Sequence, residues 1–289
     1  MTILLLGANG QVGRELQRAL PAVGDVRALD RAKADLSNPD QLRDVVRATT
    51  PKIIVNAAAY TAVDKAETEK DSAERINHTA VAVLAEEARR ADAALVHYST
   101  DYVYDGTKPS PYVETDATNP ISVYGATKLR GEDAIRASGC RHIIFRTSWV
   151  YAVHGHNFVK TMLRLAKERE ELTVVADQFG APTSADLIAD VTAKAISQGG
   201  LQGVYHLVAG GETTWHGFAR FILAEAQKNG VPLKAGPEKV KAIPTSAYPT
   251  PAKRPANSRL NTDKLKTALK IELPDWDTPA RRVVAALSA

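Results

Sequence analysis

The chain has 289 residues, of which 44% are hydrophobic and 24% charged, with a formal net charge of +4; this is globular composition, outside the disordered, collagenous and disulfide-rich classes. No run approaches the ~20 apolar residues of a spanning helix, and the single cysteine, Cys140, excludes an intramolecular disulfide and lacks the company of a zinc site. The basic residues are scattered, so no nucleic-acid partner and no membrane association are expected, and the start Met1-Thr-Ile-Leu-Leu-Leu, with no basic leader, leads us to expect a cytoplasmic protein.

In chain order, the apolar run at residues 2–6 predicts a first strand, and residues 11–20, with Val12, Leu16 and Leu20 on one face, predict a helix. Residues 26–29 predict a strand, 40–48 a helix with Pro39 at its first turn, and 52–56 a third strand. An alanine-rich helix over 72–90, a strand over 94–99, a helix over 123–137 and a strand over 142–147 complete the first half. This alternation predicts an α/β fold: a doubly wound parallel sheet of Rossmann type, covered on both faces. The second half is punctuated by proline, with helical patterns at 158–168, 186–197 and 216–228 and strands at 173–175 and 204–207. We expect residues 1–150 to form the dinucleotide-binding domain. Residues 151–289 are expected to form mainly a smaller substrate-binding domain, with some segments returning to the first.

Gly7-Ala-Asn-Gly10-Gln-Val-Gly13 follows the first strand and opens the first helix. Gly7 permits a tight turn, Gly10 lets a pyrophosphate approach the backbone, and Gly13 lets helix and strand pack closely. The helix N-terminus offers free N–H groups and partial positive charge to a phosphate. The spacing is G-x-x-G-x-x-G, so its place between strand and helix carries the reading more than the glycine count; a plain structural turn is the competing reading. Asp30 suits the ribose hydroxyls of NAD, whereas the adjacent Arg31 suits a 2′-phosphate, and both NADH and NADPH are expected to bind.

Tyr124-Gly-Ala-Thr-Lys128 sets a phenol and an ammonium on one helical face. A cation near a phenol lowers its pKa from ~10, so Lys128 is expected to tune Tyr124 while holding the nicotinamide ribose. Tyr124 would then donate a proton to a carbonyl oxygen as hydride reaches carbon. Thr100 closes a strand and is placed to orient that carbonyl. A solvated helix face is the competing reading of an isolated Y-x-x-x-K.

These features, with Asn56-Ala-Ala-Ala59 and Ser99-Thr-Asp-Tyr-Val-Tyr-Asp-Gly106, resemble the extended short-chain dehydrogenase/reductases. Ala57-Ala-Ala-Tyr-Thr-Ala-Val-Asp-Lys-Ala-Glu67, Arg146-Thr-Ser-Trp-Val-Tyr151, Asp177-Gln-Phe-Gly-Ala-Pro-Thr183, Tyr205-His-Leu-Val-Ala-Gly-Gly211, Pro244-Thr-Ser-Ala-Tyr-Pro-Thr-Pro251 and Arg254-Pro-x-x-Ser-Arg-Leu260 narrow the resemblance to the dTDP-4-dehydrorhamnose reductases, over nearly the whole chain. The resemblance implies reduction of the 4-keto group of dTDP-4-dehydro-β-L-rhamnose by NADPH or NADH, within dTDP-rhamnose and lipopolysaccharide synthesis. It implies Thr100, Tyr124 and Lys128 as the catalytic group. Gly10, Gln11, Val12, Gly13, Asp35, Leu36, Ala59, Tyr60, Thr61, Tyr98, Tyr124 and Lys128 would touch the cofactor. Thr100, Asp101, Tyr102 and Trp149 would touch the dTDP-sugar, with a core role the bland reading of Trp149.

Lys253, Arg254 and Arg259 cluster where they could meet a diphosphate, Arg254 foremost, against the bland reading of a solvated basic loop. Some members of the family dimerise through a magnesium site; Glu15 and Asp186 match two of its positions, while residues 283–289 carry no acid for the third. Glu15 also reads simply as a first-turn helix acid. A homodimer and Mg2+ are thus implied with an incomplete ligand set. The alternatives are a related nucleotide-sugar epimerase or dehydratase, and a non-catalytic cofactor-binding subunit resembling the regulatory β subunit of methionine adenosyltransferase. Tyr102 stands where a dehydratase would carry a second acid. His154 and His156 are read as loop residues at the substrate mouth, and Trp215 and Trp276 as packing residues.

Overall fold

The structure is a computed structural model describing residues 1–288. Its centre is a six-stranded sheet whose pairings are all parallel. In chain order the first half runs β1 (Thr2–Leu6), α1 (Gln11–Ala19), β2 (Asp25–Leu29), α2 (Pro39–Thr49) and β3 (Ile53–Asn56). There follow two short helices, α3 (Val63–Ala66) and α4 (Lys70–Glu74), then α5 (Ala80–Arg90), β4 (Ala94–Thr100), α6 (Val123–Ser138) and β5 (Arg141–Thr147). The second half adds β6 (Val150–Tyr151), α7 (Phe158–Glu168), β7 (Leu172–Val175), β8 (Phe179–Gly180), β9 (Thr183–Ser184) and α8 (Ala185–Gln198). It closes with β10 (Gly203–His206), β11 (Thr213–Thr214), α9 (Trp215–Lys228), β12 (Val240–Ile243), α10 (Asp263–Leu269) and α11 (Asp277–Ser288).

The sheet order is β10-β5-β4-β3-β1-β2. The chain leaves β1 toward β2 on one side and returns to β3 on the other, so the order reverses between β1 and β3. In an open α/β sheet, that reversal opens a crevice at the carboxyl ends of the strands. Side chains in β1 alternate as the pleat requires. Ile3 and Leu5 enter the core layer shared with Leu16 of α1, Ile188 of α8 and Leu265 of α10. Leu4 and Leu6 enter the opposite layer with Leu42 of α2, Leu84 of α5 and Ile135 of α6. Both faces are therefore buried, which explains a strand that reads as an unbroken apolar run. A further core joins α7, β7, α9, β12 and α11 around Leu163, Phe218 and Val284.

The helix expected over 72–90 is interrupted. Arg75–Thr79 form a π turn between α4 and α5, and the buried Asn77 lies within it. Helices α10 and α11, strand β12 and the two-residue strands were not expected from periodicity, because each is short or proline-flanked. Among the described residues, no helix is long and apolar enough to cross a membrane.

Candidate active site

A cavity of about 700 Å³ lies at the β1/β3 crevice. The turn after β1 lines one end through Gly7, Gly10, Gln11 and Val12. Gly7 has φ +80°, and a Cβ there would sit 2.7 Å from the Ala58 nitrogen. Gly13 does not line the cavity: a Cβ at Gly13 would stand 2.0 Å from the Gly7 carbonyl oxygen, so the glycine lets α1 abut the turn. Gly10 caps α1, and no side chain bonds the helix's first N–H groups. A bare helix N-terminus on a side-chain-free turn fits the pyrophosphate of a dinucleotide.

Arg31, Asp35 and Leu36, beyond β2, line the same end. Asp30 stands back from it, with its carboxylate accepting from Asn9 Nδ2 and the Lys33 N–H. Backbone donation from Ser37, with Arg31 nearby, holds the Asp35 carboxyl below the usual range despite partial burial. Ala59 and Thr61 line the wall beyond β3. Tyr60 between them turns its ring away and donates to Glu69 at 2.7 Å. Its backbone is clamped by Asn77, whose Oδ1 accepts from the Tyr60 N–H at 2.9 Å and whose Nδ2 donates to the Tyr60 carbonyl at 3.1 Å.

The other end gathers the predicted chemical group. Tyr98, Thr100, Asp101, Tyr102, Tyr124, Lys128 and Trp149 all line the cavity. Ser122 caps α6 by accepting from the Gly125 N–H, which sets the helix start one residue before Tyr124. Gly125 lets that start press on the turn after β4; a Cβ there would lie 2.1 Å from the Tyr102 carbonyl oxygen. Tyr102 meets the Tyr124 ring edge-on, with centroids 5.5 Å apart. Thr100 accepts from the Tyr102 N–H at 3.1 Å and donates to Asp101 at 3.0 Å. Asp101 Oδ2 is buried and unpartnered in the structure. Burial lifts the Asp101 carboxyl to about 6, against the pull of Ser258 and Thr100 hydroxyls.

The phenol differs from expectation. Burial pushes Tyr124 up to about 12, with the Thr100 hydroxyl opposing and the Asp101 charge adding to the rise. Lys128 does not lower it; its Nζ turns to the strand beside it, donating to the Tyr98 carbonyl at 2.6 Å and lying 3.1 Å from His97 Nε2. Burial draws Lys128 itself down to about 8, while Glu132 one turn on opposes that. Tyr124 is thus held as a neutral phenol across the neutral range.

Trp149 sits in the left-handed region at φ 49°. One ring face is covered by Trp215, stacked at 3.7 Å between centroids, and its edge abuts Gly180, where a Cβ would lie 2.8 Å from the indole. The paired rings form a stiff apolar wall, with Trp215 in the packing role expected of it. His156 also lines the cavity, and His154 lies 3.7 Å from Glu15. Arg254 is outside the lining; its guanidinium forks onto Asp64 at 2.9 and 3.1 Å, next to Tyr102. Arg259 is committed to the Pro109 carbonyl, Asn257 and Glu212. Glu15 accepts from Arg18, and Asp186 accepts from Ser184 and Arg282. Among the described residues, no group of three or more His, Cys, Asp or Glu side chains is arranged to hold a metal.

Sequence reasoning missed the polar frame behind the cavity. Arg146 on β5 and Glu132 on α6 are both buried and pair through two bonds of 3.0 and 2.6 Å. Ser99 donates to Glu132 at 2.5 Å, and Arg146 donates to the Tyr104 hydroxyl at 2.6 Å. Glu132 follows Lys128 by one turn on the same helical face, and that continuation of the Tyr124/Lys128 spacing was the available signal.

A parallel sheet whose glycine turn and Tyr-x-x-x-Lys helix meet at one crevice defines a nicotinamide-dependent oxidoreductase of the short-chain dehydrogenase/reductase type. A family model described as RmlD substrate binding domain matches residues 1–289. The chain is 53% identical over 295 residues to the dTDP-4-dehydrorhamnose reductase of Escherichia coli strain K12, covering 99% of this chain and 98% of that protein. It is 52% identical to that of Burkholderia thailandensis, over 96% and 95% of the two chains. Among solved structures, the dTDP-4-dehydrorhamnose reductase of Bacillus anthracis in complex with NADP gives a TM-score of 0.91 at 37% identity, covering 98% of both chains. That of Clostridium acetobutylicum gives 0.93 at 36% identity, covering 100% of both. The chain belongs to the dTDP-4-dehydrorhamnose reductase family.

Proposed function

We propose that this chain reduces the 4-keto group of dTDP-4-dehydro-β-L-rhamnose, giving dTDP-L-rhamnose, with Tyr124 as the proton donor. The observation that carries this reading is a single cavity lined at one end by the bare glycine turn and at the other by Thr100, Tyr124 and Trp149. NADPH or NADH, held by Gly7, Gly10, Gln11 and Val12, by Arg31, Asp35 and Leu36, and by Ala59 and Thr61, would supply the hydride when bound. Thr100 orients the keto oxygen, and Tyr124, kept protonated by burial, passes its phenolic proton to that oxygen as negative charge develops there. Lys128 holds the ribose side of the site. Trp149 packs on the apolar face of the sugar, Asp101 and Tyr102 contact its hydroxyls, and Arg254 lies toward the diphosphate.

Arg31 and Asp35 line the adenosine end together. Their opposite charges support use of both NADPH and NADH, and a titration in which one binds a hundredfold better would overturn that. We assign residues 1–150 mainly to the cofactor and 151–289 mainly to the sugar nucleotide, and we place the reaction in the cytoplasm without membrane or nucleic-acid partners. A homodimer bridged by Mg2+ through Glu15 and Asp186 would dissociate in EDTA on gel filtration; an unchanged elution volume would dismiss the metal bridge.

The deciding experiment follows loss of NAD(P)H absorbance on adding the dTDP-keto-sugar. Stoichiometric consumption is expected of a reductase. Turnover of a nucleotide sugar with no net consumption would favour an epimerase or dehydratase, and tight cofactor binding with no turnover would favour a binding subunit.

A further inference from the structure

Behind Lys128 lies a buried chain of hydrogen bonds that the reduction itself does not use. The Ala58 backbone N–H reaches Asn56 Oδ1 at 3.2 Å. An amide N–H can only donate, so this contact fixes which way the Asn56 side chain faces. Its Nδ2 therefore points at His97 Nδ1, 3.2 Å away. Nδ2 is in turn a donor only, so Nδ1 must accept. His97 is fully buried, and burial holds it well below the usual histidine range, hence neutral. A neutral imidazole with an accepting Nδ1 carries its proton on Nε2. That Nε2–H faces Lys128 Nζ at 3.1 Å.

An ammonium there would set N–H against N–H. An amine resolves the conflict: it donates to the Tyr98 carbonyl at 2.6 Å and accepts from His97 through its lone pair. We propose that Asn56 and His97 lock the proton arrangement around Lys128, so that in the ligand-free chain Lys128 gives up its third proton at a pH where a solvated lysine is still charged and then accepts a hydrogen bond from His97. The inference concerns the resting protein and stands whatever sugar is reduced.

The surrounding charges agree with it. On α6, Glu132 favours the ammonium, but its carboxylate is already neutralised by Arg146 from β5 and Arg136. Tyr124, one turn the other way on α6, is uncharged, and Asp101 after β4 acts on Tyr124 rather than on Lys128. β3 contributes only the neutral Asn56, and the π turn contributes the neutral Asn77, bonded to Thr127. Burial acts in the same direction on Lys128. Charging Lys128 therefore adds one proton to its nitrogen, moves the imidazole proton from Nε2 to Nδ1, and breaks the Asn56–His97 bond. His97 and Asn56 are positioning residues that set the protonation of Lys128.

The test uses the wild-type chain without cofactor, labelled with 15N-histidine and 13C-lysine, observed by NMR at pH 9. A solvated lysine is about 96% ammonium at that pH. The expected result is a His97 proton on Nε2 and a Lys128 side chain in the amine form. Asn56→Asp retains the acceptor for Ala58 and offers the imidazole a second one. It should move the His97 proton to Nδ1 and raise the proton affinity of Lys128 at least tenfold. Calorimetry of NADPH binding at pH 9, in buffers of different ionisation enthalpy, should show proton uptake in the wild type and less in Asn56→Asp. A wild-type His97 protonated on Nδ1, or a Lys128 still ammonium at pH 9, overturns the proposal, and both readouts survive should the variant fail to fold.

Discussion

Replacing Tyr124 with phenylalanine isolates the proton from everything else the residue does. The ring is kept, and with it the edge-on contact to Tyr102 at 5.5 Å. The phenol has a pKa of about 12, so at pH 7 roughly one molecule in 10⁵ is ionised and the wild type is in the donor form throughout the neutral range. Positioned general acids contribute about 10²–10⁴ in rate. At 1.36 kcal/mol per decade, the variant should lose about 2.7–5.4 kcal/mol of barrier lowering. The assay is steady-state NAD(P)H oxidation with the dTDP-keto-sugar, paired with cofactor titration. We expect kcat to fall at least a hundredfold while cofactor affinity changes less than twofold. A variant retaining more than a tenth of wild-type kcat would refute the assignment of Tyr124 as donor.

Glu132→Gln leaves Arg146 charged in a site where both side chains are almost wholly buried; about 3–5 kcal/mol of stability should be lost, seen as a lower urea midpoint, and a loss under 1 kcal/mol would contradict this. Asp101 has a folded pKa of about 6, above the 3.8 of a solvated aspartate. The folded state therefore holds the proton more tightly, and this group's contribution to stability is lost as pH rises from about 4 to about 6. Asp101→Asn removes that dependence, so its stability relative to wild type should climb by up to about 3 kcal/mol across the same window; a constant difference would argue against a raised carboxyl. Arg254→Ala should raise KM for the sugar nucleotide more than it lowers kcat, and the reverse pattern would remove Arg254 from the binding role.

The glycine turn and the Tyr124–Lys128 pair were legible because each is a local pattern within one turn or one helix. β1 and β3 were legible because burial on both faces makes them apolar runs. The frame that orients the pair was not: His97 meets Lys128 across 31 residues, Asn77 meets Tyr60 across 17, and Arg146 meets the Tyr104 hydroxyl across 42. Such partners are chosen by sheet order, which periodicity does not report. The expected lowering of the Tyr124 pKa failed for a related reason. Helical spacing says that Lys128 can face the same way, but the Tyr98 carbonyl and His97 compete for its nitrogen. Arg254 was read as a cation for a diphosphate, while Asp64, its partner 190 residues away, was out of view.

The π turn at Arg75–Thr79 has one more consequence. A π turn accommodates an extra residue in a helix that otherwise advances about 100° per residue. Asn77 sits there, holding Tyr60 on one side and Thr127 of α6 on the other. Deleting a single residue between 75 and 79 would give a regular helix with Val81 and Leu84 still in their core layer, but it would carry Asn77 away from both partners. The irregular stretch thus behaves as a fixed spacer that keeps the loop after β3 in step with the start of the helix bearing Tyr124, and length variation should be tolerated in the surface loops well before it is tolerated here.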